Sequence, residues 1–132
     1  MQYTFPLEDW QAQSILMAKA RAQFHLRVSK GNIKAIGPGK IALLEAIRDT
    51  GSISAAARKL RMSYRRAWML VDDLNRRLSK AVVAATPGGK SGGGTTLSPT
   101  GHKLVKLYRD IERKALRHTS AATRALLGLL EE

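Results

Sequence analysis

The sequence predicts a mainly α-helical fold with a small β component. Apolar residues recur at helical spacing in several separate segments, and serines suited to cap a helix precede three of them, at Ser54, Ser63 and Ser98. Two short alternating stretches next to turn residues predict the strands. Since 132 residues leave room for one domain, we expect a single domain over residues 1–132.

The first part of the chain, residues 1–36, predicts a helix followed by a β-hairpin. Apolar residues at near-helical spacing predict an amphipathic helix over residues 9–23. Apolar and polar residues then alternate over 24–29, as in a half-buried strand. A turn at residues 30–32 should lead to a second strand that contains Ile33 and Ile36.

The next part, residues 39–78, predicts three helices. In the first helix Ile41, Leu44 and Ile47 share one face, and Gly51 supplies the stop signal.

The second and third helices, over residues 54–78, have the pattern of a helix-turn-helix. Ser54 and Ser63 are the expected N-caps. Ala56 and Ala57 have the small side chains that a close helix crossing needs. The expected small core beneath consists of Leu60, Met62, Ala67 and Leu70.

The start of the third helix has the residues of a DNA-recognition helix. Tyr64, Arg65, Arg66 and Met69 lie where such a helix presents side chains to the major groove, and arginine can donate two hydrogen bonds to guanine or phosphate. Trp68 we expect in the core. A helical hairpin with merely solvated arginines is the alternative, but many cations and only two acids flank this motif in a chain of net charge +13, which favours a polyanion as partner.

The last part predicts two strands and two helices. A glycine-rich loop separates apolar and threonine-rich stretches over residues 82–97, as two strands joined by a flexible loop. Ser98 and Pro99 should begin a helix, and a final segment starts at Ser120. The apolar side of the first of these helices should contain Leu104, Leu107, Tyr108, Ile111 and Ala115. The leucines that end the chain could be core or dimer surface, and they are Leu126, Leu127, Leu129 and Leu130.

Several kinds of chemistry are excluded or disfavoured. The chain has no cysteine, so disulfides and thiolate sites are excluded, and His25, His102 and His118 are too scattered for a metal set. Residues 84–91 resemble a loosened P-loop, but three glycines follow where a P-loop needs a helix. Glu45 and Glu112 we interpret as solvated helix positions. We therefore expect no enzyme, no catalytic or metal-binding residue, no cofactor and, without a signal peptide or membrane-length apolar run, a cytoplasmic protein.

Five separated motifs resemble the N-terminal DNA-binding domain of the ModE family of molybdate-responsive regulators. They are GPGKIALLEAI, GSISAAARKL, MSYRRAW, GGKSGGG and LSPTG, within about residues 24–112. The alanine-rich helix and the closing LSPTG more weakly resemble the helix-turn-helix of LysR-type regulators. The resemblance implies a winged helix-turn-helix, with residues 88–94 as a wing along the DNA backbone and the flanking elements as the dimer contact. The turn position often occupied by glycine is Arg61, which should adopt a positive φ at a cost of about 1 kcal/mol.

These observations predict a homodimeric, sequence-specific regulator that binds double-stranded DNA and not membranes. The family's sensors have further oxyanion-binding domains, which we do not expect here, so no small-molecule effector is assigned. Alternatives are a non-specific nucleoid-type DNA binder and an interaction module that pairs with a full-length regulator. The expected DNA-contacting residues are Ser54, Ser63, Tyr64, Arg65, Arg66, Met69, Gly89, Lys90, Ser91, Gly92 and Thr95.

Overall fold

The computed structural model describes residues 21–86 and 94–130. Residues 25–114 form one compact unit, and a second unit contains residues 21–24 and 115–130. The helix predicted over 9–23 lies outside the described residues except for 21–23, which are not helical. A single domain over the whole chain stays a prediction.

The first elements are two strands, β1 (Val28–Lys30) and β2 (Ile33–Ile36), which pair antiparallel around a turn in which Gly31 has a φ of 61°. The predicted hairpin is confirmed. The half-buried strand over residues 24–29 is wrong, because 24–27 are not strand and the residues of β1 are exposed. The physical reason is that β2 is only four residues long, and its last residue, Ile36, already pairs with Val28.

Helix α1 (Pro38–Thr50) supplies the centre of the core. Ile41, Leu44 and Ile47 are fully buried, as their spacing predicted. Gly51 ends the helix with a φ of 75°, and its N–H donates to the carbonyl of Ile47 at 2.8 Å. A left-handed residue in this position satisfies a carbonyl that the helix leaves open.

Helices α2 (Ile53–Lys59) and α3 (Tyr64–Arg77) form the helix-turn-helix, with one cap different from the prediction. The N-cap of α2 is Ser52, whose backbone is extended and whose hydroxyl accepts a hydrogen bond from the N–H of Ala55 at 2.9 Å. Ser54 is wrong as a cap because it is already inside the first turn. Ser63 is confirmed as the cap of α3, since it accepts from the N–H of Arg66 at 3.1 Å.

The contact between α2 and α3 follows the prediction. Ala56 and Ala67 are fully buried and Ala57 nearly so, which lets the two helices cross closely. Arg61, in the turn, has a φ of 58°, as predicted. Leu60, Met62 and Leu70 are partly buried and pack against the core.

After α3 the chain forms a second antiparallel pair, β3 (Val83–Thr86) and β4 (Gly94–Leu97). Val83 pairs with Leu97 at one end, and Thr86 pairs with Gly94 at the other. The joining loop, residues 87–93, lies outside the described residues. The order of α1, α2, α3 and this strand pair is that of a winged helix-turn-helix, so the predicted fold class is confirmed.

Helix α4 (Pro99–His118) begins as predicted, with the hydroxyl of Ser98 accepting from the N–H of Gly101 at 3.0 Å. Its buried residues are Gly101, Val105 and Tyr108. Leu107 and Ile111, on the predicted apolar side, are 50% and 49% exposed. They lie next to the face that Val105 and Tyr108 bury and are only partly covered by it.

The interpretation of Glu45 and Glu112 as solvated helix positions is wrong, because both carboxylates accept hydrogen bonds from Arg109 of α4. Arg109 donates to both carboxylate oxygens of Glu45, at 2.9 and 2.6 Å, and to Glu112 at 2.6 Å. The hydrogen bond from Arg109 holds the pKa of Glu45 below its ordinary value. The hydroxyl of Tyr108 donates to the carbonyl of Leu26 at 2.7 Å, so α4 is fixed both to α1 and to the segment before β1.

The last helix, α5 (Ser120–Leu127), has no buried residue. Leu126, Leu129 and Leu130 are 60% or more exposed, and Leu127 is partly buried. A core role for these leucines is therefore wrong, and a role in a dimer surface stays a prediction.

Candidate DNA interface

Helix α3 has one apolar face and one charged face. Ala67, Val71 and Leu74 are buried. Because side chains four and seven residues apart share a helix face, Arg65, Met69 and Arg76 lie along the opposite side. A firmly packed helix thus presents its other face to solvent.

The first turn of α3 has positive charge without compensation. Arg65 and Arg66 are exposed, and neither forms an ion pair with another residue of the described ranges 21–86 and 94–130. The first turn also contains no acidic residue. Cations at the positive end of a helix dipole are disfavoured by roughly 0.3–1 kcal/mol each, so this arrangement does not serve stability. It does serve the binding of an anion.

The two acids of α3 are occupied by other cations. Asp72 pairs with Arg76 at 3.0 Å. Asp73 pairs with Lys40 at 2.7 Å and with Arg77 at 2.5 Å. The hydrogen bond from Lys40, followed by that from Arg77, holds the pKa of Asp73 below its ordinary value. The acids therefore neutralise the second half of the helix and leave the arginines at its start available.

An open groove of about 1060 Å³ runs along this face, and its lining includes Tyr64, Trp68 and Met69. These side chains are 55%, 49% and 53% exposed. The prediction that Trp68 belongs to the core is therefore wrong. It projects beside, and not within, the face that Ala67 and Val71 bury, so the indole is only half covered.

Asn75 connects the exposed helix to the wing strands. Its side-chain oxygen Oδ1 accepts hydrogen bonds from the N–H groups of Val82, at 2.8 Å, and Val83, at 3.2 Å. Its Nδ2 donates to the carbonyl of Val83 at 3.1 Å. We did not predict this role. An asparagine next to inward-facing Leu74 was the available signal, because a buried amide needs partners.

The wing strands are also fixed to α1 and α4. The N–H of Thr95 donates to the carbonyl of Gly51 at 2.9 Å, and a Cβ added to Gly94 would lie 2.7 Å from the same oxygen. Ser98 donates from its hydroxyl to the carbonyl of Ala81 at 2.7 Å and from its N–H to that of Val82 at 2.9 Å. The start of the wing is thus held by α3, by the end of α1 and by the beginning of α4.

The structure brings together part of the predicted contact set. Tyr64, Arg65, Arg66 and Met69 share the exposed surface at the start of α3. Ser63 caps the helix, Ser54 is exposed in the first turn of α2, and Thr95 is partly buried. The four predicted wing residues lie outside the described residues, and they are Gly89, Lys90, Ser91 and Gly92.

Residues 21–86 and 94–130 contain neither a candidate metal site nor a membrane-spanning helix. In these ranges no three His, Cys, Asp or Glu side chains are grouped so that they could hold a metal ion. None of the helices described there has the length and apolarity required to cross a membrane.

Comparison with known proteins gives a match centred on the helix-turn-helix. The family described as "Bacterial regulatory helix-turn-helix protein, lysR family" matches residues 39–102. MopB of Rhodobacter capsulatus, a molybdenum-pterin-binding protein, is 46% identical over 91 residues, which are 69% of this chain and 34% of MopB. The molybdenum transport protein ModE of Herbaspirillum seropedicae is 41% identical over 57% of this chain and 28% of its own length. The Escherichia coli DNA-binding transcriptional dual regulator ModE is 37% identical over 59% of this chain and 31% of its own length.

Among solved structures, a mutant of MepR from a multidrug resistant S. aureus clinical isolate is 15% identical with a TM-score of 0.49, over 98% of this chain and 100% of that one. The chain spans about a third of the length of the curated relatives it matches. The matched stretch contains the capped helices, the crossing alanines and the wing strands described above. Over residues 39–102 this chain is therefore similar to the bacterial regulatory helix-turn-helix, and the predicted resemblance to the ModE family is confirmed.

Proposed function

We propose that this protein is a transcription regulator that binds double-stranded DNA in a sequence-specific manner. The observation that supports this most directly is the first turn of α3, where Arg65 and Arg66 are exposed without an ion-pair partner among the described residues. A ModE-type relative is a DNA-binding transcriptional regulator by name, which agrees with this use of the helix. The protein acts by binding and not by catalysis, and in the cytoplasm, where bacterial DNA is found.

The proposed contacts use the residues that the sequence assigns to the recognition helix and to the wing. A recognition helix enters the major groove with its N-terminal residues toward the base edges. Arg65 and Arg66 supply paired N–H donors for guanine or phosphate, and Ser63 and Tyr64 supply hydroxyl groups beside them. The wing residues Lys90 and Ser91, with the glycines around them, contact the adjacent backbone.

A homodimer completes the proposal. Leu107 and Ile111 of α4 are about half exposed, and Leu126, Leu129 and Leu130 at the end of the chain are exposed further. Each of these two sets of large apolar side chains suits a surface that a second copy covers. A two-fold dimer would bind half-sites about 34 Å apart or a multiple of that distance. Sedimentation at micromolar concentration tests the dimer, and a monomer would contradict the paired half-sites.

Selection from random duplex DNA tests the main proposal. We expect enrichment of one sequence, bound at least about 10³-fold more tightly than scrambled duplex at fixed near-physiological salt. A ratio below about tenfold would instead support a non-specific nucleoid-type binder. No retention of DNA even at low salt, together with a stable complex with a full-length regulator, would support an interaction module.

A further inference from the structure

The exposed face of α3 contains apolar surface that the fold does not need. Met69 is 53% exposed, and Trp68 beside it is 49% exposed. Apart from Tyr64, the other residues that line this outward face are mostly charged, namely Arg65, Arg66, Asp72, Asp73 and Arg76. Isolated exposed apolar residues are common on protein surfaces, but here they lie within one turn of the two available arginines.

The position of Met69 determines what it can contact. It follows Arg65 by four residues, so the two side chains are neighbours on the same side of the helix. It also precedes Arg76 by seven residues, which places it between Arg65 and Arg76 on the same side of the helix. When the arginines at the start of α3 bind in a major groove, Met69 faces the same groove floor.

The major groove offers one apolar group for such a side chain. That group is the 5-methyl of thymine, which lies among polar base edges and which proteins contact with apolar side chains. A flexible thioether adapts its shape to small apolar groups. The exposed Arg65 and Arg66, one turn before Met69, attract the duplex. The side chain of Met69 adds no hydrogen-bond donor, so its contribution is selective for the methyl group.

We propose that Met69 is a specificity-determining residue that contacts a thymine methyl in each half-site, next to the base or phosphate bound by Arg65. This inference rests on the proposed function. Arg65 and Met69 together then select two adjacent positions of the site, one by hydrogen bonds and one by an apolar contact.

Replacing single thymines by deoxyuridine in the selected duplex tests this, because deoxyuridine keeps the base pairing and removes only the methyl group. We expect one position in each half-site where this replacement weakens binding of the wild-type protein roughly fourfold, the value of one buried methyl-sized group. In Met69→Ala the replacement at that position should have no effect. Met69→Leu should restore the sensitivity, and Arg65→Ala, although weaker overall, should retain it.

The outcomes distinguish failure of the Met69 proposal from failure of the regulator proposal. If a specific site is selected but no thymine is sensitive, or if Met69→Ala remains as sensitive as wild type, the role of Met69 is wrong and the regulator proposal stands. If no sequence is enriched, both are wrong. A thermal melt of Met69→Ala near that of wild type shows that the variant is folded, as expected for an exposed residue.

Discussion

Asn75 of α3 accepts a 2.8 Å hydrogen bond from the N–H of Val82, just before the first wing strand. With its two bonds to Val83, this amide fixes the start of the wing to the helix that presents Arg65 and Arg66. The position of the wing relative to α3 thus depends on a side chain that is only partly buried.

Asn75→Ala should weaken both the fold and DNA binding. The change leaves backbone groups of Val82 and Val83 without partners, at a cost of about 1–3 kcal/mol in the free energy of unfolding. Denaturation in urea measures this cost. Asn32→Ala, in the exposed hairpin turn, is the matched control and should stay within about 0.5 kcal/mol of wild type. Equal stability of the two variants would show that the amide does not fix the wing.

Gly101→Ala should strongly destabilise the protein, because the added methyl group has no room. A Cβ there would overlap the carbonyl oxygen of Val82 and lie 3.1 Å from its carbon. Overpacking of this kind costs about 1–3 kcal/mol or more. Gly39→Ala is the control, because its Cβ would meet nothing within 4 Å and alanine favours the helix by about 0.4–1 kcal/mol. Thermal melts should move in opposite directions for the two variants, and a shared direction would contradict this packing.

Ser52 and Ser54 provide a test of where α2 begins. Ser52→Ala removes the hydrogen bond to the N–H of Ala55 and should cost about 1 kcal/mol of unfolding free energy. Ser54→Ala, inside the first turn and exposed, should change stability by less than about 0.5 kcal/mol. If Ser54→Ala lost more unfolding free energy than Ser52→Ala, α2 would begin after Ser54 and not at Ile53.

Glu45 should make stability depend on pH in the acidic range. Because the hydrogen bond from Arg109 lowers the pKa of Glu45 in the folded state, its contribution is present above the unfolded value of about 4.3. It is lost as the pH falls through the lower, folded value. Glu45→Gln should reduce stability at pH 7 by about 1 kcal/mol, allowing for partial exposure to solvent, and should flatten the decline between neutral and strongly acidic pH.

Urea denaturation at pH 7 and at about pH 3 measures this dependence. Arg109→Gln removes the same ion pair from its other side and should flatten the decline as well. If both variants lost stability with acid as steeply as wild type, the Glu45 pair would not be the cause.

Much of the fold was predictable because local rules determine it. The spacing of Ile41, Leu44 and Ile47 follows from the helical period, and Gly51 from the positive φ at a helix end. Arg61 was identified because the family resemblance places it at the turn position that glycine often occupies, and its φ of 58° is left-handed. In each case the requirement acts within one or two turns of chain.

The predictions that were wrong or absent concern residues whose role depends on contacts with other elements or on their exact angle around a helix. Ser52 and Ser54 are chemically equivalent caps, and only the path of the chain selects between them. Trp68 is apolar and was predicted in the core, but it lies to one side of the helix face that the core covers. The roles of Asn75 and Arg109 come from contacts with other elements, which periodicity does not encode.

The most direct test of the central claim is the affinity of Arg65→Ala and Arg66→Ala for the selected duplex, measured by titration against Arg113→Ala. All three remove one positive charge, but Arg113 lies on α4 and pairs with Asp110. We expect each α3 variant to lose about 1–3 kcal/mol of DNA-binding free energy. The loss should be confined to one base position if the arginine contacts a base, and it should be equal on all sequences if the arginine contacts phosphate. The binding free energy of Arg113→Ala should change little. An equal loss in all three variants would contradict the central claim, because overall charge and not the start of α3 would then determine binding.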